Sequence, residues 1–371
     1  MNERIRLGSA VGFTCLLFIG VQFGALALVE PFTAAEMQAV EDPSDPTNSL
    51  VYVGAILVMT AFMLAAFKYD LQWIIRGLIV GVSVMLSWFV FAEILPPVAT
   101  IASFGVFPLL VSLGIGAALV IYPEWYVIDL AGVVMGAGAA GLFGISFGLL
   151  PALVLLVVLA VYDAISVYRT EHMLDLAEGV MDLHIPVVLV VPTSLSYSFL
   201  EAGDVPGEIE NRDAESTATT NGGSPEADAD DFEGPTAEPT DSEAAEDERE
   251  RERTESEQPE PEQTEPELDD ASEGVRDALF IGLGDAVIPT ILIASAASFL
   301  EVGSLDVPLI TLNAPALGGV LGTLAGLLVL MAMVLRGRPH AGLPLLNSGA
   351  IGGYLVGALW AGVPVATALG L

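Results

Sequence analysis

Along most of this chain, stretches of about 20 apolar residues alternate with short polar or proline-containing breaks, as expected of helices that each cross a hydrocarbon layer about 30 Å thick. Nine such runs can be read, near 7–29, 50–67, 77–95, 97–121, 131–148, 149–168, 278–300, 315–335 and 343–365. The pattern predicts an all-α polytopic membrane protein with nine transmembrane helices. Its weakest boundary is Gly148–Pro151, where only a glycine and a proline part the fifth run from the sixth. Between the sixth and seventh runs the hydrophobic pattern stops altogether. That break divides the chain into an N-terminal part, 1–200, a polar linker, 201–273, and a C-terminal part, 274–371.

Charge adds an orientation. Short cytoplasmic loops collect Lys and Arg, and with nine spans and a cytoplasmic N-terminus all 12 basic residues of the chain fall on the cytoplasmic side. A span missed or added in the middle would break that agreement. The expected location is therefore the cell membrane, with the C-terminus extracellular. At 23 residues the first run is longer than a signal-peptide core, so it is read as a retained span despite Ala25-Leu26-Ala27 near its end. The single cysteine, Cys15, lies in that run and has no internal disulfide partner.

The net charge of −35 has one main source. Residues 201–273 hold 28 of the 47 acidic residues and only four Arg, which accounts for 24 of the net negative charges. Rich also in Pro, Ser, Thr and Gly, this linker has too little apolar surface to build a core and is expected to be disordered on the cytoplasmic side. Eleven Arg against one Lys, with acidic loops elsewhere, points to a high-salt organism. With so few basic residues, no nucleic-acid partner is expected.

Two acids stand inside the apolar runs, where an ionisable group is costly and usually faces a cavity or the bundle interior. Asp163 lies in "LAVYDAISVY" on the sixth run and Asp285 in "IGLGDAVIP" on the seventh. Counted from Arg169 and Arg276, six and nine residues away, their depths are about 9 and 13 Å at 1.5 Å per helical residue. Both carboxylates can sit at one level on neighbouring antiparallel helices. Two carboxylates close together in low dielectric cannot both ionise easily, and such a pair shares a proton. The ionised member can take a proton from a water that attacks an amide carbonyl, while the protonated member donates to the developing oxyanion. Gly282 and Gly284 would let a backbone approach Asp285 closely.

"VYDAISVY" and "GLGD" in consecutive spans at matched depth resemble the presenilin and signal peptide peptidase aspartyl proteases, the GxGD-type intramembrane proteases, and in particular their archaeal homologues. The resemblance spans most of the chain outside 201–273, including "EHMLDLAEGVMDLHIPVVLVVP" after the sixth run. It implies that Asp163 and Asp285 are the catalytic pair, with Tyr162, Gly282, Leu283 and Gly284 as their motif neighbours. It further implies hydrolysis of peptide bonds within transmembrane segments or remnant signal peptides, without a cofactor. The N-inside, C-outside topology is like presenilin's and inverted from that of signal peptide peptidase.

The family's third motif, Pro-Ala-Leu near the start of the ninth span, has two candidates. A literal copy, Pro315-Ala316-Leu317, opens the eighth run on the outer side, and topology argues against it. Pro344-Leu345-Leu346 in "AGLPLLNSGA" lies six residues past Arg338, near the level of the acids, but carries Leu345 where Ala is usual. A plain helix start also accounts for Pro344.

A transmembrane substrate must be locally unwound before its amide is open to attack. "HIPVVLVVP", residues 184–192, is rich in β-branched Val between two Pro and reads as a short extended segment. Val187, Val188, Leu189 and Val190 could add a strand to the unwound substrate, which resembles the family's substrate clamp; a strand that merely closes the bundle is the competing reading. The glycine-rich run 132–148 is assigned to close helix packing. Glu93 lies toward an outer interface. His172, His184 and His340 lack the His-Glu-x-x-His spacing of a zinc protease, so no metal is expected.

Paired intramembrane acids also serve proton or cation transport, which is the alternative function. The absence of an evident inverted repeat with broken helices weighs against it. A non-catalytic scaffold or a water-filled leak is a third reading. Expected partners are transmembrane-helix substrates and membrane lipid, and the chain leaves room for a homo-oligomer.

Overall fold

The structure is a computed structural model that describes residues 3–69, 71–95, 100–101, 104–169, 188–193, 197–198, 278–335 and 341–371. These belong to one unit of the chain, Met1–Asp204 together with Val275–Leu371. The linker 201–273, Val187, His172, His184 and His340 lie outside the described residues.

Every apolar run contains a helix. In chain order they are α1 (Glu3–Ala34), α2 (Thr47–Lys68), α3 (Gln72–Ile94), α4 (Val106–Ile121), α5 (Trp125–Ser146), α6 (Leu149–Arg169), α7 (Leu283–Phe299), α8 (Ala314–Val334) and α9 (Gly342–Trp360), followed by the single turn α10 (Val365–Ala368). Among the described residues six of these, α1, α2, α3, α5, α8 and α9, are long and apolar enough to cross a membrane. Val106–Ile121, Leu149–Ile165 and Leu283–Phe299 are apolar but shorter.

Two runs contain strands, contrary to expectation. In the fourth, Thr100–Ile101 (β1) pairs with Phe104–Gly105 (β2), and α4 begins only at Val106. In the seventh, Ala278–Gly282 forms a strand, β4, which pairs antiparallel with β3 (Val188–Pro192) from Val188↔Gly282 to Pro192↔Ala278. The strand pairing claims the first five residues of that run, and α7 starts at Leu283 after Gly282, which holds an extended φ of −60° and ψ of 131°.

The break at Gly148 is built rather than incidental. Its N–H donates to Pro43 O at 2.7 Å, and a Cβ there would lie 3.0 Å from the same oxygen, so only glycine allows the loop this near. The turn's carbonyls are met by hydroxyls from two other helices, Ser295 Oγ to Phe147 O at 2.8 Å and Ser49 Oγ to Pro151 O at 2.6 Å. With no water in a bilayer core, backbone groups at a helix break must find such partners inside the protein.

α7 is the central helix. Its residues Thr290–Ala296 are buried without interruption, and it touches α1, α5, α6, α8 and α9. α1 is a core helix too, with Phe18, Val21, Leu26 and Phe32 fully buried. α8 and α9 pack backbone to backbone: a Cβ at Gly318 or Gly322 would run into the carbonyls of Gly353 or Gly349, and one at Gly357 into Ala314 O. Two rows of glycines four residues apart make this possible.

Candidate active site

Asp163 sits on α6 with 7% of its surface exposed. Asp285 occupies the first turn of α7, half-buried, three residues after β4 ends. The two carboxylates are near enough to act on each other electrostatically. The two acids that stand out in the sequence are neighbours in the structure.

The third contributor is the start of α9. Its N-cap is Ala341, which offers no side-chain acceptor to the first-turn N–H groups. Such groups have no partner within the helix. One of them, Leu343 N–H, donates to Asp163 Oδ2 at 3.2 Å. Pro344, at the next position, has no N–H to satisfy. A Cβ built on Gly342 would lie 3.2 Å from Asp285 Oδ2 and 3.5 Å from its Cγ. One turn therefore touches both acids: by a hydrogen bond to Asp163, and by a bare glycine against Asp285.

This arrangement favours Pro344-Leu345-Leu346 over the literal motif copy. Pro315 and Ala316 are buried in the first turn of α8, where Asn313 Oδ1 accepts from Ala316 N at 2.9 Å. Asn313 Nδ2 also donates to Ala296 O at 2.8 Å, tying the end of α7 to the start of α8. Pro315-Ala316-Leu317 is a helix start at the end of α7 remote from Asp285. In the other segment Leu346 is fully buried, while Pro344 and Leu345 are half-buried. Leu345 packs against the cluster of Leu327, Leu330, Met331 and Leu283. One turn on, Asn347 Nδ2 donates to Leu156 O at 2.9 Å and fastens α9 to α6.

A Cβ on Gly282 would stand 3.6 Å from Asp285 Oδ2, in ordinary contact, and one on Gly284 would meet only Ile288. The glycine in close approach to Asp285 is Gly342, which sequence reasoning missed; its signal was a glycine two residues before the proline that opens a span at the acids' level. Among the other motif neighbours, Leu283 is buried and the Tyr162 side chain is 42% exposed. Glu93 is exposed near the end of α3.

The candidate substrate strand is real but is not a lone one. Val188 pairs with Gly282, Leu189 with Ile281 and Val190 with Phe280, and the Leu189 and Val190 side chains are buried. On its other side β3 meets α5, where Asp129 Oδ1 accepts from Val190 N at 2.7 Å. The single edge expected to receive a substrate is thus already flanked on both sides, by β4 and by α5. Asp129, in "EWYVIDLAG", is a third intramembrane acid that the sequence did not set apart.

Comparison with known proteins bears on this site. The family model for signal-peptide peptidase, presenilin aspartyl protease matches residues 15–363. Among solved structures, the chain is similar to a presenilin family intramembrane aspartate protease in the C222 space group, at 30% identity and a TM-score of 0.57, covering 94% of this chain and 99% of that one. A presenilin family intramembrane aspartate protease in the P2 space group is similar at 29% identity and a TM-score of 0.53, covering 93% and 96%. No curated protein matches.

Proposed function

The chain belongs to the signal-peptide peptidase and presenilin family of aspartyl proteases, and we infer on that premise that Asp163 and Asp285 are the catalytic pair of its intramembrane proteolysis. It is a multi-pass intramembrane aspartyl protease, a hydrolase acting on membrane-embedded substrates. The observation that carries the assignment is the meeting of α6, α7 and the first turn of α9 at two acids, with Leu343 N–H on Asp163 and Gly342 against Asp285.

The surroundings also divide the roles. Asp163 accepts a hydrogen bond from Leu343 N–H, which favours its charged form; a helix first turn is common to both acids, since Asp285 lies in that of α7. Asp285 makes no hydrogen bond to a described residue, so the shared proton is assigned to it. Asp163 then takes a proton from the attacking water as its oxygen bonds to the amide carbon, and Asp285 gives its proton to the carbonyl oxygen. In collapse, Asp163 returns a proton to the departing nitrogen and Asp285 recovers one from a hydroxyl of the diol. A bare glycine at 342 leaves room beside Asp285 for the scissile carbonyl.

Substrate is presented to the strand pair, with β3, Val188–Pro192, as its inner strand and β4 as the member that runs into Asp285. Addition of an unwound substrate segment to this sheet would satisfy the peptide groups that unwinding releases. Nine spans, a cytoplasmic N-terminus, an extracellular C-terminus at the cell membrane, and 201–273 as an acidic cytoplasmic tether between the 1–200 and 274–371 parts complete the reading. The acidic, lysine-poor composition fits an archaeal, high-salt setting. The transporter reading that paired acids alone allow is superseded by family membership.

The test is cleavage of a single-span reporter by the reconstituted protein and by Asp163→Asn and Asp285→Asn, with product masses recorded. Each substitution is expected to lower the rate by at least about 10²-fold, the low end of what one acid–base group contributes, while thermal unfolding in detergent stays unchanged. The wild type should show a bell-shaped pH profile reporting the coupled pair. Cleavage persisting in either variant would overturn the assignment, as would a flat profile across the acidic and neutral range.

A further inference from the structure

Asp129 stands on α5, one turn into a span, with 3% of its surface exposed. Its Oδ1 accepts from Val190 N at 2.7 Å, and its Oδ2 is buried with no hydrogen-bond partner among the described residues. A carboxyl group inside a membrane helix is expensive, and nothing in the catalytic chemistry uses this one. Its one visible task is to close the edge of β3 that faces away from β4.

That edge is under further restraint. Just past β3, Arg6 Nε donates to Thr193 O at 3.2 Å and Arg6 Nη2 to Thr193 Oγ1 at 3.3 Å, so α1 holds the strand's end. Ser198 Oγ donates to Glu124 Oε1 at 2.7 Å, at the start of α5. The Val190 side chain packs with Leu119, Ile128, Ala131 and Ala278. β3 is thus pinned to α1 and α5, while β4, paired to it from Val188↔Gly282 onward, leads without a break into Asp285. A slip of one residue in a strand pair turns every side chain to the opposite face. Whatever fixes β3 therefore fixes where β4, and a substrate strand laid against the sheet, stand relative to the two acids.

We propose that Asp129 is a positioning residue for proteolysis: by accepting the Val190 N–H it locks the β3–β4 sheet in register with Asp285 and so selects which substrate peptide bond is cut. The proposal rests on the assignment of the dyad and of the strand pair as the substrate platform.

The experiment compares wild type, Asp129→Ala, Asp129→Asn and Val190→Pro in reporter cleavage, reading product masses, KM and kcat, and separately in amide hydrogen exchange of 188–192. Asn retains an acceptor oxygen and should keep the wild-type product pattern. Pro removes the donor at a strand position whose N–H lies outside the β3–β4 ladder, where it is tolerated. Asp129→Ala and Val190→Pro should each broaden the set of cleavage positions, raise KM by about tenfold, the order of one lost hydrogen bond to a charged group, and speed exchange across β3. Should Asp129→Ala fail to fold, Val190→Pro and Asp129→Asn carry the decision. A wild-type product pattern and KM in Val190→Pro would overturn the proposal, and so would an Asp129→Asn variant as altered as Asp129→Ala. If wild type itself cut nothing, the dyad assignment would fall instead, and unchanged exchange at 188–192 in Asp129→Ala would then dismiss the strand lock on its own evidence.

Discussion

Helices α2 and α9 cross the same apolar layer and do opposite things in it. α2 has a mean hydropathy of 2.2 over its most apolar stretch, of which 11% is buried; α9 has 1.2, of which 33% is buried. α2 exposes Leu50, Val51, Leu57 and Val58 and is fixed mainly near its start, where Ser49 bonds to Pro151 O and the Tyr52 ring packs 5.1 Å from Phe143 and 4.7 Å from Phe147. α9, the least apolar of the six long spans, carries Gly342, the Leu343 N–H, Asn347 and the glycine row 349, 353, 357. Hydropathy alone does not set burial, since α8 has the same 2.2 as α2 with 33% buried and α1 has 2.1 with 44%; what sets α9 apart is what replaces its apolar residues. α9, which meets the two proposed catalytic acids, gives up hydropathy for glycines, which let backbones meet, and for polar groups that must be paired inside the bundle.

The sharpest test of that contrast lies at the first turn of α9. Gly342→Val puts its Cβ 3.2 Å from Asp285 Oδ2 and its branches into the space beside both acids. Since displacement of a reacting group by about 1 Å can cost on the order of 10²-fold in rate, reporter cleavage should fall by at least that much. Thermal unfolding should hardly move, because the position is half-buried beside Asp285 rather than in the core. Retained activity would mean that the scissile carbonyl is bound elsewhere and that α9 is only scaffolding.

Three turns further along, the same helix should respond the other way. A side chain at Gly353 would strike Gly318 O directly, so Gly353→Leu must push α8 and α9 apart. Overpacking of this kind typically costs about 1–3 kcal/mol, visible as a lower unfolding temperature in detergent, with activity lost only in proportion to the folded fraction. The pair of variants separates an activity defect without instability from instability without a specific activity defect, on one helix.

How far the molecule was legible follows the same division. Hydropathy located the nine long apolar helices, because the apolar length needed to cross a bilayer is set by the local chain. The nearness of Asp163 and Asp285 was open to reading because an acid in an apolar run is conspicuous, and counting from the basic flanks placed the two at one level. The same counting preferred Pro344-Leu345-Leu346 to the exact letters at Pro315-Ala316-Leu317. What escaped depended on partners distant in sequence. Ala278–Gly282 reads as the start of an apolar span, and only pairing with β3, some 90 residues earlier, makes it a strand. Gly342 looks like any glycine until Asp285 is beside it, and Asp129 like any acid near a span's end until Val190 is placed against it. The glycine rows of α8 and α9, spaced by four, were open to detection, but the run at 132–148 drew the packing argument instead.

The smallest expected effect is the one that most directly tests α2. Gly54 lies mid-helix, and a Cβ built there meets nothing within 4 Å. In a lipid-facing helix, Gly54→Leu adds apolar surface where the surroundings are already apolar, so stability should change by no more than about 0.5 kcal/mol, the usual range for surface positions, and cleavage rate and product masses should match wild type. The backbone entropy that glycine costs a helix makes any small shift more plausible as a gain than as a loss. A clear loss of stability or activity would show that this face is occupied by something other than lipid, and a second copy of the chain would be the first candidate to check by cross-linking at Gly54. Low burial would then mark an interface instead of a lipid face, and the contrast between α2 and α9 would have to be redrawn as one between two kinds of protein contact.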